Sequence, residues 1–568
     1  MKLRILFAAF LLLTFISQPT LGASSSALVF THVTVIDATG APAQPDMTVV
    51  IANGRIAEIG KSSSVHVQKD VEIIDAAGKF LIPGLWDMHM HWENTDYLPL
   101  FLANGVTGIR IMWGAPIHYE WRQESTGKLL APHLVIASGI IDGPKPFWPG
   151  SISVSSEAQA RQAVVNVKQQ GADFVKVYSF LPHEEYFAIA DEARKQGISF
   201  AGHVPKSISA EEASNAGQKS FEHLLGVLPA CSSHSAELLQ AFQSDLAEDL
   251  GADHPAFWGS RAKAMRQMEL DTYSPEKAAA VFATFKRNGT WQVPTLTLLR
   301  TTAFANDPSF FTNDPRLKYM PPRTRAGWST PGIAVDYGDP AMAAKEFQKD
   351  LELVGAMQKA GVGILAGTDT ANAFCMPGFS LHDELGLLVK AGLTPMQALQ
   401  AATLNPARFL GIEKDSGTVE AGKIADLVLL DANPLDDIAN TKKINTVIYG
   451  GKLLARSELD QMLSQVEALA ARPLIGITLM ATIQKQGIAA AVAQYHDLKT
   501  NQPNAYDFSE QEFIGLGYVL LRQKKIPEAI EIFKLSVEAY PKSYNTWDSL
   551  AEAYMDHGDK DLDRKSVV

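Results

Sequence analysis

Gly84-Leu-Trp-Asp-Met-His-Met-His91 closes an apolar run that opens as Phe80-Leu-Ile-Pro. Residues two apart on a strand face the same side. His89 and His91 would therefore leave the strand end with both imidazoles pointing together. Surface His-x-His pairs are common, but a pair at the end of an apolar strand favours metal ligation. Outward from this stretch the rhythm repeats. Apolar runs at 106–112, 133–138, 173–178, 198–203, 219–223, 291–295 and 362–369 follow the run at 80–91, making eight candidate strands. Helix-like stretches at 157–170, 184–196 and 345–360 lie between several of them. Continuous apolar strands alternating with helices indicate parallel βαβ units. Eight units predict an α/β fold, a (β/α)8 TIM barrel; the competing arrangement is a doubly wound open sheet. Residues 225–290 are too long for one crossover helix and predict a helical insert. Residues 300–343, rich in Pro, Asp, Asn and Arg, predict a long loop at the catalytic mouth.

Both flanks of the barrel read as β structure. Short β-branched runs at 28–30, 33–36, 47–51, 56–59 and 71–74 are separated by turn signals such as Asn53-Gly54 and Ala77-Gly78. The pattern returns at 417–419, 422–430 and 444–449, with Gly450-Gly451 as a turn. A β unit at each end predicts one small β-sandwich built from both. Beyond it, Phe513, Leu516, Gly517 and Leu520 recur 34 residues later as Trp547, Leu550, Ala551 and Tyr554. Ala529, Phe533 and Pro541 continue the first unit, and Ala491, Tyr495 and Pro503 form a weaker earlier copy. This period resembles tetratricopeptide repeats. Asp563 and Val567 break the last copy. The expected organisation is a signal peptide at 1–22, sandwich at 23–82, barrel at 83–412, sandwich again at 413–457, and a tetratricopeptide-like tail at 458–568, incomplete at its end.

The chain has 568 residues, 46% hydrophobic and 20% charged, enough for several cores and far from a disordered composition. A net charge of −12 argues against a nucleic-acid partner, which needs a concentrated basic face. With only Cys231 and Cys375, there is no disulfide scaffold and no zinc site built from four cysteines. Met-Lys-Leu-Arg, an apolar run at 5–16 and small residues before Ala23 read as a secretory signal. The expected location is secreted or periplasmic, with no membrane span after cleavage. An oxidising compartment would permit a Cys231–Cys375 bridge.

Four further residues join the histidine pair. Lys176 lies inside the apolar run Asp173-Phe-Val-Lys-Val-Tyr178, where an ammonium is costly. It either snorkels to solvent at the strand end or serves chemically, as a lysine carboxylated by CO2 that bridges two metals. His203 and His223 close the next two runs; each alone fits a satisfied core or loop histidine. Asp369 ends the last run, as a helix cap or as a metal ligand and proton shuttle. All six stand at or near strand ends, where barrel enzymes build active sites. Nitrogen and oxygen donors without thiolate suit zinc, with manganese or iron as alternatives.

Residues 27–455 resemble the amidohydrolase superfamily, within its imidazolonepropionase-like and Xaa-Pro dipeptidase branch. The resemblance rests on Gly84 to His91, Gly105-Val-Thr107, Phe174-Val-Lys-Val177, Gly202-His203, Glu222-His223 and Gly367-Thr-Asp369. His382-Asp-Glu-Leu385, Ala401-Ala-Thr-Leu-Asn-Pro-Ala407 and Glu420-Ala-Gly-Lys-Ile-Ala-Asp-Leu-Val428 follow in the same order. It implies a binuclear centre. His89, His91 and Asp369 would hold one ion and His203 and His223 the other, with carboxylated Lys176 and a hydroxide between them. Asp369 would carry the proton from hydroxide to leaving nitrogen. Two departures stand out. The segment 136–150 has no histidine to assist at the substrate carbonyl, and Ile109-Arg110-Ile111 lacks the acidic residue usual beside the arginine. Trp148, Tyr178, Arg323 and Arg325 are candidate substrate contacts.

The expected function is an exported metal-dependent hydrolase of an amide, a dipeptide or N-acyl amino acid. A cyclic amide or lactone hydrolase, with one metal, is the alternative. A third reading is a non-catalytic metal-binding barrel. The repeats would serve a protein partner or self-association.

Overall fold

The structure, a computed structural model, describes residues 27–67, 71–91, 94–125, 127–248, 260–305, 307, 310, 313–328 and 339–558. The expected signal peptide and the break at Asp563 and Val567 lie outside them. The first strands are β1 (Leu28–Val35), β2 (Gln44–Ala52), β3 (Arg55–Lys61), β4 (Glu72–Asp75) and β5 (Phe80–Pro83). Then come β6 (Leu85–Met90), β7 (Val106–Ile111), β8 (His133–Asp142), β9 (Ile152–Ser153), β10 (Phe174–Val177), β11 (Ser199–Gly202), β12 (Ser220–Glu222) and β13 (Trp291–Val293). Last are β14 (Leu427–Leu430), β15 (Ile444–Tyr449) and β16 (Lys452–Leu454).

The two flanks form one eight-stranded sheet in the order β16-β15-β14-β5-β1-β2-β3, with β4 paired to β1. The joint between chain ends is the antiparallel pairing of β5 with β14, Leu81 opposite Leu429. The apolar run 80–91 is thus two strands, divided at Gly84. Its first half completes the flanking sheet and its second half enters the barrel. The division needs glycine, because a Cβ at Gly84 would overlap Thr107 Oγ1.

The barrel strands run parallel in the order β13-β12-β11-β10-β8-β7-β6. The eighth run, 362–369, closes the ring but makes no regular ladder. Leu365 N donates to Gln292 O at 2.9 Å on one side, and Met88 N donates to Ala366 O at 2.9 Å on the other. Two close approaches explain the irregular path. A Cβ on Gly363 would collide with the Trp291 ring, and one on Gly367 would stand 2.8 Å from His89 Cβ. The backbone squeezes between neighbours where a pleated strand would not fit.

Helices pack their apolar stripes on the ring. In Glu157–Gln169 the buried residues are Ala160, Ala163, Val164 and Val167, the spacing of one helical face. The insert comprises helices Val227–Ala230, Ser235–Glu248, Ser260–Asp271 and Pro275–Asn288. The bridge that the compartment would permit is not made, since Cys231 and Cys375 are both free and buried. Described parts of the stretch 300–343 are folded, with Pro315–Tyr319 and Pro322–Trp328 as helical turns. Tyr319, Met320 and Trp328 share an apolar cluster with Tyr97, Met376 and Val466. Val466 lies on helix Arg456–Ala470, which leads into helices Ile475–Gln486, Ile488–Asn501, Glu510–Arg522, Ile526–Ala539 and Tyr544–His557. Gly517 is where the Glu510–Arg522 helix meets its neighbour: a Cβ there would run into the Phe533 ring. No described helix is long and apolar enough to cross a membrane.

Candidate metal centre

Parallel strands put their carboxyl ends on one side, and there the six residues gather. His89 lies on β6 and His91 follows it; their Nε2 atoms are 3.2 Å apart. Asp369 Oδ1 stands 3.2 Å from His89 Nε2 and 3.1 Å from His91 Nε2. His223, just after β12, brings Nε2 to 3.8 Å from Asp369 Oδ2. His203, just after β11, lies beside it, ring centroids 5.0 Å apart. The donor atoms of His89, His223 and Asp369 all lie within 4.8 Å of one another.

Three of the four histidines have partners for their other ring nitrogen; His91 Nδ1 has none among the described residues. His89 Nδ1 meets Glu222 Oε2 at 2.7 Å, His203 Nδ1 meets Ser179 Oγ at 2.7 Å, and His223 Nδ1 meets Thr295 Oγ1 at 2.7 Å. Thr295 Oγ1 donates to Pro294 O, so it accepts from His223 Nδ1–H. That tautomer leaves the Nε2 lone pair facing inward, as ligation requires. Backbone strain is concentrated here too. His223, Leu224, Thr295 and Asp369 have φ values of 61, 57, 48 and 56°, in the left-handed region that ordinary residues avoid.

Lys176 is wholly buried on β10, and its Nζ has no hydrogen-bond partner among the described residues. Burial pushes its pKa down to about 8, against the opposing pull of Glu222 and Asp369. The snorkelling alternative is therefore excluded. Burial also lowers the pKa of His91 and His203, and takes His223 to about 3. For Asp369 burial acts upward, but the facing imidazoles of His89 and His223 outweigh it and hold the carboxyl well below its usual range. Imidazole nitrogens facing inward, a carboxylate and an unpartnered buried lysine suit divalent cations. The donor set fits the ions that the sequence implies.

Glu222 was legible only as part of a motif; its role was not. Oε1 accepts from Arg110 Nη2 at 2.9 Å and from Ser220 Oγ at 2.6 Å, while Oε2 faces His89. The acidic partner absent beside Arg110 in sequence thus arrives from β12. Burial alone would raise the Glu222 pKa; Arg110 and His89 reverse this and keep it ionised. Asp87, pushed up to about 6 by burial, accepts from Thr368 Oγ1 at 2.6 Å and ties the closing segment to β6.

A cavity of about 690 Å³ opens over this centre, lined by His91, His203, His223 and Asp369. Tyr178 stacks on His203 with centroids 3.9 Å apart and accepts from Trp148 Nε1 at 2.8 Å. Both aromatic residues line the cavity. Arg323 lines it too but is engaged elsewhere, donating to Gln511 O at 2.5 Å. Arg325 is exposed and outside the lining.

The model of the amidohydrolase family matches residues 317–454. An imidazolonepropionase from Thermoplasma volcanium is 25% identical, over 70% of this chain and 87% of its own length. A 5-methylthioadenosine/S-adenosylhomocysteine deaminase from Moorella thermoacetica is 38% identical, but the match spans 19% of this chain and 29% of that relative. Together these matches support the amidohydrolase superfamily. Solved structures agree in fold. A bottromycin amidohydrolase matches with a TM-score of 0.62 and 24% identity, over 78% of this chain and 90% of that chain. A Xaa-Pro dipeptidase with methionine in its active site matches at 0.56 and 21%, over 76% and 100%.

Proposed function

We propose that this protein is an exported hydrolase of an acyclic carbon–nitrogen bond. Its substrate is a dipeptide or an N-acyl amino acid. Two divalent ions, zinc first among candidates, are held by His89, His91, Lys176, His203, His223 and Asp369. One observation carries the reading: Lys176 Nζ is sealed from solvent and unpartnered within a ring of ligand-type side chains. A bare buried amine there is costly. Attack of the neutral amine on CO2 forms an N–C bond and releases a proton. The result would be an anionic two-oxygen ligand for ions held by His89, His91 and Asp369 and by His203 and His223.

Bound ions supply a lowered water pKa and a polarised scissile carbonyl. The chain's residues do the rest. Asp369 accepts the proton of the attacking water and returns it to the leaving nitrogen, as base and then as acid. Glu222, Ser179 and Thr295 hold three imidazoles in the tautomer that ligation needs. Tyr178 accepts from Trp148, so its own O–H remains to donate to a substrate oxygen where the sequence lacks a histidine. Support for an acyclic amide comes from the Xaa-Pro dipeptidase neighbour; the imidazolonepropionase relative supports a ring amide instead.

Metal analysis of the dialysed protein tests the reading, followed by assays on Xaa-Pro dipeptides, N-acyl amino acids and cyclic amides. About two ions per chain and turnover of the acyclic panel are expected. One ion with ring opening alone would replace this reading by the cyclic one. For export, the N-terminus of the protein recovered outside the cytoplasm should lie near Ala23; an intact Met1 there would refute cleavage.

A further inference from the structure

The cavity over the metal centre has a second wall. Besides the barrel residues it is lined by Leu469, Arg472, Asp507, Ser509, Gln511 and Glu512, all from the C-terminal helical region. Arg323 fastens that wall to the mouth. Its Nη1 donates to Gln511 O at 2.5 Å and stands 3.4 Å from Glu512 Oε1. Its guanidinium fills the space over Gly515, leaving no room there for a Cβ. Glu512, buried, also accepts from Gly476 N at 3.2 Å. Lys318 with Glu467 at 2.7 Å adds a surface tie. The helical tail is therefore fixed where substrate must enter.

On this wall Arg472 differs from Arg323. It is partly buried and lines the cavity. Among the described residues it makes no side-chain hydrogen bond and has no carboxylate within 4.0 Å. Asp507 turns one oxygen to Ser509 N at 2.8 Å. Asp96 and Asp507 are near enough to feel each other, and Asp96 feels Arg472, yet neither pairs with the guanidinium. A guanidinium with its fork unspent is the side chain best matched to a carboxylate, which it binds through two parallel hydrogen bonds.

We infer that the helical tail is a wall of the substrate site, and that Arg472 receives the substrate's carboxylate while the amide lies at the metal centre. The inference rests on the proposed hydrolysis of dipeptides or N-acyl amino acids and assigns the residue that recognises the free carboxylate these substrates share. Tail and barrel then form one catalytic unit.

The test uses the full metal-loaded enzyme and two matched pairs that differ only in the carboxylate. These are methionyl-proline against methionyl-pyrrolidide, and N-acetyl-phenylalanine against N-acetyl-2-phenylethylamine. Wild-type kcat/KM should favour the acid of at least one pair by about 30-fold or more, a preference worth about 2 kcal/mol. In Arg472→Ala the preference should fall to within about threefold. The loss should lie in KM, with kcat on the acid little changed. Arg472→Lys should keep part of it. A preference that survives in Arg472→Ala would overturn the role of Arg472, as would equal rates on acid and neutral partner in the wild type. Those two results leave the hydrolase reading standing. Failure to turn over any of the four compounds would remove that reading and this inference together.

Discussion

Removing the charge of Glu222 separates two jobs that one carboxylate performs. In Glu222→Gln a single carbonyl oxygen must replace two carboxylate oxygens. Those oxygens face Arg110 Nη2 at 2.9 Å, Ser220 Oγ at 2.6 Å and His89 Nδ1 at 2.7 Å. The amide NH2 must turn toward either Arg110 or His89, which puts donor against donor. The Arg110 and Glu222 side chains are both 0% exposed. With the NH2 toward Arg110 the guanidinium keeps only Met88 O and Ser220 Oγ as partners, and in either orientation its charge is left unpaired in the core. Breaking a buried pair this way costs about 3–5 kcal/mol. Loss of the carboxylate behind a ligating histidine weakens metal binding by roughly 10- to 100-fold. Urea unfolding of the metal-free protein reads the first effect, and metal titration against a chelator reads the second. Adding Arg110→Leu removes the stranded cation and should restore much of the stability without restoring metal affinity. A metal-free Glu222→Gln protein destabilised by less than about 1 kcal/mol would refute the buried-pair argument. Wild-type metal affinity in that variant would refute the role behind His89.

The remaining expectations concern the centre and one remote histidine. Lys176→Ala should lower bound metal from about two ions toward one and reduce activity with it, while bicarbonate should speed reconstitution of stripped wild type only; full metal content in the variant removes the bridging role. Asp369→Asn should cut kcat by about 100-fold or more with a much smaller change in KM, and an unchanged rate would exclude it as proton carrier. His382 is buried between Thr441 Oγ1 at 3.0 Å and Asn104 O at 3.1 Å, near Lys442, Asp383 and Arg316. Burial lowers its pKa from 6.5 to about 4. The unfolded chain therefore takes the proton first as pH falls. Stability contributed above pH 6.5 is lost progressively down to about pH 4, roughly 3 kcal/mol in all. The pH dependence of unfolding should be flatter by that amount in His382→Gln; identical slopes would show that His382 does not titrate there.

What was legible in the chain depended on the range of the interaction that fixes each residue. His89, His203, His223 and Asp369 stand at or just beyond the ends of apolar runs, so one-dimensional periodicity located them. The barrel's closing segment was located but its geometry was not. Gly363 and Gly367 are set by Trp291 and His89, residues far away in sequence. The division of the run 80–91 at Gly84 was hidden for the same reason, because Thr107 and β14 decide it. Glu222 shows the limit most clearly. Its partners Arg110 and His89 lie 112 and 133 residues away, so no local pattern could announce the pair.

The tail extends this reasoning to function. Its 34-residue recurrence reports contacts inside the tail, such as Gly517 against Phe533. Periodicity of that kind says nothing about which side faces the barrel. Of the tail residues that line the cavity, Arg472, Asp507 and Ser509 lie between helices and Leu469, Gln511 and Glu512 on them, all outside the recurring positions. Two arginines in one cavity then separate by their partners. Arg323, singled out in sequence as a loop cation, is consumed in holding the wall in place. Arg472 stood out by no pattern and is the one whose donors remain for a ligand. A cation's place in a loop therefore says little about its role until its hydrogen bonds are counted.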